Sequence, residues 1–206
     1  MYTMSLSQDA NAIQKTPAGA GRPRQFTQGA ALQNAMELFW CKGFEATSLD
    51  DLLTAMGLSK SSFYACFSSK QALYNEAIRA YAESQFDYLC DLAQSATNPM
   101  SAVQAILAAV AVTDGGSEGC FIVNTVTELA LHDAELNAYC QAHIARIASL
   151  VTDMLVKAGF APKLASDRAA AALALAIGLV TLRKAGFSAQ RLGELLVQVQ
   201  PLLVSP

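Results

Sequence analysis

Charge is scarce in this chain of 206 residues: 15% are charged, against 53% hydrophobic. That balance excludes a disordered chain, which lacks the apolar surface to offset the entropy of ordering. A formal net charge of −3 and a pI near 5.3 exclude a broadly basic protein, so any site for a polyanion has to be local. Paired cysteines are missing. Cys41, Cys66, Cys90, Cys120 and Cys140 stand singly, with no Cys-x-x-Cys spacing. Such scattered thiols argue against a disulfide framework and for a reducing compartment, the cytoplasm. Neither His132 nor His143 has a cysteine or second histidine at metal-ligand spacing, so no metal is expected. A glycine-rich phosphate loop, suitably spaced paired carboxylates and a G-x-S-x-G elbow are also absent. An enzyme using Cys120 with a histidine therefore has no motif support, and no cofactor is expected. Residues 1–25 hold no apolar stretch of signal-peptide length. The strongest apolar run, Ala169 to Leu182, would rise roughly 21 Å as a helix, short of the ~30 Å hydrocarbon slab. No membrane partner is expected.

Helical periodicity is what the chain does have, from residue 27 onward. Before it, residues 1–21 read as a flexible polar arm, followed by Gly21-Arg22-Pro23-Arg24. Leu32, Met36 and Phe39 share one helical stripe that Gly43 stops. Ser48 with Asp51 forms a capping pair, and Leu49, Leu52, Leu53 and Met56 repeat behind it. Gly57 ends this short helix. Ser59 caps the next one, with Phe63 and Phe67 on its inner face. Ser68 with Gln71 predicts a further cap, and a helix through Leu73 and Tyr81 to about Leu92. Asn98-Pro99 breaks the chain. Helices are then expected over 102–112, 120–131, 139–157, 166–184 and 188–202, with a turn cluster at 113–119. Alternation of strand length is absent, so the fold class is all-α, with about nine helices.

Residues 48–67 are thus a helix, a tight glycine turn and a second short helix, the helix-turn-helix arrangement. The apolar inner faces hold the two helices at a fixed angle. Lys60, Ser61, Ser62 and Tyr64 are left to face a groove. The segment from Arg22 to about Glu83 resembles the DNA-binding domain of TetR-type transcriptional regulators. The match is carried by Ala35, Phe39, Gly43-Phe44, Thr47-Ser48-Leu49, Leu52, Met56-Gly57-Leu58-Ser59-Lys60, Phe63-Tyr64, Phe67, Ser69-Lys70 and Leu73. The resemblance implies a three-helix DNA-binding domain over 22–83 and a helical ligand-binding and dimerisation domain over 84–206. Its partners would be double-stranded operator DNA, a second copy of the chain, and a small-molecule inducer of unknown identity. It further implies a homodimeric repressor released by that ligand.

Carried across position by position, Thr47 and Ser48 would contact phosphate. Ser59, Lys60, Ser61 and Ser62 would lie at the groove-facing start of the recognition helix. Tyr64 and Lys70 would bind phosphate, and Arg22 and Arg24 would reach the minor groove or the backbone unless they are an idle tail. Ser61 stands where glycine is common and Cys66 where a basic or aromatic residue is common. From Arg22 to Lys70 five basic residues face four acidic ones. That slim margin predicts weak binding by one head and a need for two.

Gly119-Cys120-Phe121-Ile122-Val123-Asn124 is similar to a segment in a subset of these regulators, some of which respond to electrophiles through cysteine. Ligand or redox-sensing candidates are Cys120, Phe121 and Asn124 within that segment, and Phe86, Tyr139 and His143 outside it. Cys120 is either a thiol lowered in pKa by a helix N-terminus or a small buried apolar residue. The aromatic residues line a pocket or belong to the core, and His143 is packed or cavity-lining. Leu173, Ala174, Ile177, Thr181, Leu192, Leu195, Leu196 and Val199 form a stripe suited to a two-fold four-helix interface, the alternative being an intrachain core. The competing readings are a repressor switched by thiol modification at Cys120 and a dimeric adaptor that no longer touches DNA.

Overall fold

The computed structural model describes residues 28–111 and 118–204, with side chains up to residue 198. The arm at 1–21, Arg22, Arg24, residues 113–117 of the turn cluster and the side chain of Val199 lie outside the described residues. Nine helices run through the described residues, and no strand occurs among them. In chain order they are α1 (Gln28–Lys42), α2 (Leu49–Met56), α3 (Lys60–Cys66), α4 (Lys70–Ser95), α5 (Pro99–Ala111), α6 (Phe121–Leu129), α7 (Ala134–Lys157), α8 (Pro162–Lys184) and α9 (Ala189–Val204). The chain divides into two compact units, one ending at Ala77 and the other starting at Ile78. The division falls inside α4, earlier than the boundary at 83 expected from the pattern.

In the first unit, which we call the head, α1 packs on α2. Ala31, Leu32, Ala35, Met36 and Phe39 form the buried face of α1. Phe39 meets Tyr74 edge-on at 4.8 Å between ring centroids, and Phe44 meets the same ring at 5.0 Å. Gly43 closes α1 with φ 85°, a left-handed conformation that side chains resist.

In the second unit, the body, α8 packs on α5, α7 and α9, and α6 packs on α7. Leu89, Ile106, Val151, Leu155, Ala169 and Leu192 are among its fully buried apolar residues. Several helices start before the apolar pattern does, because polar caps precede it. Asn98 Oδ1 accepts Ser101 N–H at 2.9 Å, so Asn98-Pro99 opens α5 as well as breaking the chain. Asp133 accepts Leu136 N–H at 2.9 Å and starts α7 at Ala134. Pro162 occupies the first turn of α8. The predicted cap at Ser68 is corrected to its neighbour: Ser69 Oγ accepts Ala72 N–H at 3.0 Å.

The early start of α8 also corrects the length argument made from its apolar run. At 23 residues the helix is long and apolar enough to cross a membrane by length and composition. Packing identifies it instead as a core helix of the body, because Ala165, Ala169, Ala172, Leu173, Ala176, Leu179 and Val180 are buried.

Candidate functional site

The head builds an exposed surface from local signals. Ser48 Oγ accepts Asp51 N–H at 3.1 Å, and the Asp51 carboxylate accepts Ser48 N–H at 3.0 Å, a complete capping box. Lys42 Nζ lies 3.1 Å from the same carboxylate. The Ser48 backbone N–H and the Lys42 ammonium hold the Asp51 carboxyl at a pKa of about 2. Gly57 then ends α2 at φ 67°, ψ 32°, and Leu58 N–H closes on Leu53 O at 3.0 Å. Ser59 caps α3 by accepting Ser62 N–H at 3.1 Å, and its hydroxyl also bonds those of Ser61 and Ser62. Phe63 and Phe67 turn inward, at 0% and 2% exposure. Lys60, Ser61 and Tyr64 face out.

Charge placement sets α2 apart from α3 and α4. The first turn of α2 carries Asp50 and Asp51, as the helix dipole favours. The helices α3 and α4 begin with Lys60 and Lys70 and have no acid in their first turns. A cation there opposes the dipole, so neither lysine is placed for helix stability. Instead the ammonium groups add to the positive ends of two short-spaced helices, where an anion is favoured. Lys70 Nζ also rests 4.3 Å from the Phe44 ring centroid, which steadies its stem. Ser48, Ser59, Lys60, Ser61 and Tyr64 are exposed, and Ser62 and Lys70 are half-buried. Thr47 requires a correction. It is fully buried and donates its hydroxyl to Gly43 O at 2.6 Å, because it locks the turn after α1, so its side chain is withdrawn from any phosphate.

The body holds a different kind of site. A cavity of about 20 Å³ is lined by Gln85, Cys120, His143 and apolar residues including Val110, Ile147 and Leu173. A hydrogen-bonded chain runs beside it. His143 Nε2 and Gln85 Oε1 are 2.9 Å apart, Gln85 Nε2 donates to Tyr81 Oη at 3.4 Å, and Tyr81 O–H donates to Cys120 Sγ at 3.7 Å. Burial lowers the His143 pKa, leaving a neutral ring whose Nε2–H donates to the Gln85 carbonyl. Burial raises the Tyr81 pKa well above the usual phenol range, so it remains an O–H donor. Burial pushes the Cys140 thiol up to about 11. Arg183, a buried guanidinium, lowers the Tyr81 pKa by its charge.

Of the six ligand or redox candidates, Cys120 and His143 reach the cavity and four do not. Asn124 is a brace: its amide donates to Glu118 O at 2.7 Å and accepts from Lys184 Nζ at 2.9 Å. Phe121 packs edge-on to Tyr81 at 5.7 Å in the core. Phe86 lies under the Arg146 guanidinium at 3.7 Å, and Tyr139 under that of Arg79 at 4.5 Å. Gln85 escaped the sequence reading because an amide on a long helix looks solvated, and Tyr81 entered it only as part of the helix's apolar pattern. The interface stripe is split in the same way. Leu173, Leu192 and Leu196 are intrachain core, Ile177 and Leu195 are half-buried, and Ala174 and Thr181 are exposed. Among the described residues no three His, Cys, Asp or Glu side chains gather to hold a metal ion.

Residues 31–77 match the family of bacterial regulatory proteins described as the tetR family. Residues 96–195 match the C-terminal domain of LmrA/YxaF-like transcriptional regulators. The HTH-type transcriptional repressor ComR of Escherichia coli (strain K12) is 34% identical over 115 residues, 53% of this chain and 54% of ComR. The HTH-type transcriptional repressor BdcR of the same strain is 28% identical over 109 residues, 52% of this chain and 55% of BdcR. The chain spans a little over half the length of these curated relatives. A cysteine mutant of the TetR family regulator CifR, complexed with 26 bp of double-strand operator DNA, superposes with a TM-score of 0.76 at 26% identity, covering 90% of this chain and 100% of that one. With a capped helix-turn-helix in the head, an all-helical body and a match in each, the chain belongs to the TetR family of bacterial regulatory proteins.

Proposed function

We propose that the protein is a cytoplasmic, sequence-specific DNA-binding transcriptional regulator, a homodimeric repressor rather than an enzyme, released from operator DNA by a small ligand. The observation that carries this reading is α3. Its largest apolar side chain, Phe63, is spent inward, and it presents Lys60, Ser61 and Tyr64 to solvent from a rigid capped turn. Lys60 and Lys70, each at the start of a helix, supply the cations that a phosphate backbone needs. The operator complex of CifR and the repressor names of ComR and BdcR support the same assignment.

Dimerisation follows from the outer face of α8. Ala174, Leu175, Gly178 and Thr181 are exposed along one stripe, with Leu175 at 42%. Val197 on α9 is 58% exposed. Small residues allow close helix approach, and a second copy would bury the stripe in a two-fold four-helix contact. The test is a band shift on DNA selected by the purified protein. Lys60→Ala with Tyr64→Ala is expected to abolish the shift while light scattering still reports a dimer. Retained binding by that variant would sink the assignment, and failure to enrich any sequence at low salt would favour an adaptor.

A second reading, release by thiol modification, is favoured by Cys120, which accepts the Tyr81 hydroxyl beside the cavity. A thiol electrophile is then expected to release DNA from the wild type and not from Cys120→Ser. Equal release from both excludes Cys120.

A further inference from the structure

The cavity of the body is apolar apart from three side chains, Gln85, Cys120 and His143. None of the lining side chains is an acid, a lysine or an arginine. A charged molecule entering here would lose its hydration and meet no opposite charge, a penalty of several kcal/mol per ion. An uncharged molecule would meet dispersion contacts from the branched side chains and one polar end. That end is the Gln85 carboxamide. Its carbonyl accepts the His143 Nε2–H at 2.9 Å, which uses one of its two lone pairs. On the other side, Tyr81 Oη is saturated. It takes the Gln85 amide hydrogen and the Phe121 backbone N–H, and gives its own hydrogen to Cys120 Sγ. The chain thus has a fixed direction, from His143 to Cys120, and the Gln85 carboxamide keeps one carbonyl lone pair and one amide hydrogen beyond those bonds.

From this we propose that the cavity binds a compact, uncharged, mainly apolar molecule with one hydroxyl-like polar group, and that Gln85 reads that group. The inference rests on the regulator reading and names the chemical class of its inducer. Size is bounded as well. About 20 Å³ holds one water-sized group, so a ligand of several heavy atoms has to displace lining side chains. Binding therefore selects a different packing of the body, which is the differential affinity that release requires.

The test uses the full chain and three probes of similar size: butan-1-ol, butyrate and n-butylammonium. Saturable binding is read directly by ligand-observed NMR, without DNA. Butan-1-ol is expected to bind at millimolar concentration, and each ion at least tenfold more weakly. Gln85→Met keeps the side-chain length and removes the polar end, and is expected to weaken butan-1-ol about fivefold. Val110→Ile adds one methylene to the lining and is expected to weaken it further without unfolding the body. Equal binding of either ion overturns the proposal, and so does a butan-1-ol affinity that both variants leave unchanged. Butan-1-ol binding without loss of a DNA shift would leave the ligand class standing and remove release by this site. Absence of any DNA shift in the unliganded wild type would instead remove the regulator reading, with the NMR result unaffected.

Discussion

The head and the body place their chemistry on opposite sides of the solvent boundary. In the head, the candidate DNA-contacting side chains on α3 and at the start of α4 are exposed or half-buried, and each is positioned by neighbours a few residues away. Ser48 works with Asp51, Ser59 with Ser62, and Gly57 with Leu53. In the body, the polar side chains beside the cavity are buried, and their partners are distant in sequence. Gln85 meets His143 across 58 positions, and Tyr81 meets Cys120 across 39. A surface that meets DNA needs local rigidity and free polar groups. A cavity that senses a small molecule needs enclosure, which only long-range packing supplies.

Truncating the inner anchor of the head should give the largest effect. Phe63 is fully buried, so Phe63→Ala is expected to destabilise the protein by about 3–5 kcal/mol, seen in urea unfolding. A loss under 1 kcal/mol would mean that the head does not depend on that anchor. Gly57→Ala comes next. Nothing lies within 4 Å of the added Cβ, so the change isolates backbone strain at φ 67°, about 1–2 kcal/mol. Ser48→Ala removes one half of the capping box and is expected to cost about 1 kcal/mol.

The smallest effects are in pH, and they separate the two regions. The Asp51 pKa is depressed on folding, to about 2 from 3.8. Its contribution is fully present above pH 3.8 and is lost as pH falls toward 2. The His143 pKa is also depressed by burial, below 6.5. The unfolded chain therefore binds the proton more readily, and stability contributed by the neutral ring declines as pH falls below 6.5. Hydrogen exchange followed from pH 7 to 5 should show body amides losing protection while head amides near Ser48 keep theirs. His143→Gln should flatten the body's response, and an unchanged slope would place the proton uptake elsewhere.

Much of the head was legible because its signals are short in range. The turn at Gly57, the cap at Ser59 and the inward pair Phe63 and Phe67 follow from spacing and side-chain chemistry, and the structure has each of them. Thr47 was misread because a threonine beside a cap looks exposed, whereas its hydroxyl turns back to Gly43. In the body, helix existence was legible and helix starts were not, since Asn98, Asp133 and Pro162 extend the helices past their apolar stripes. The interface stripe merged two faces of α8, because a helix apolar nearly all round gives no period from which to tell core from surface.

The amino-acid sequence alone determined an all-α chain, the capped turn between two short helices, and the identity of the residues left outside on α3, because capping and periodicity act within a few residues. Tertiary structure alone decided which of the apolar faces of α8 is spent internally, that Thr47 and Asn124 are braces, and that Gln85 joins Tyr81 and His143 beside a cavity. Those outcomes depend on which distant helices exclude water together, and burial of that kind has no counterpart in a local pattern.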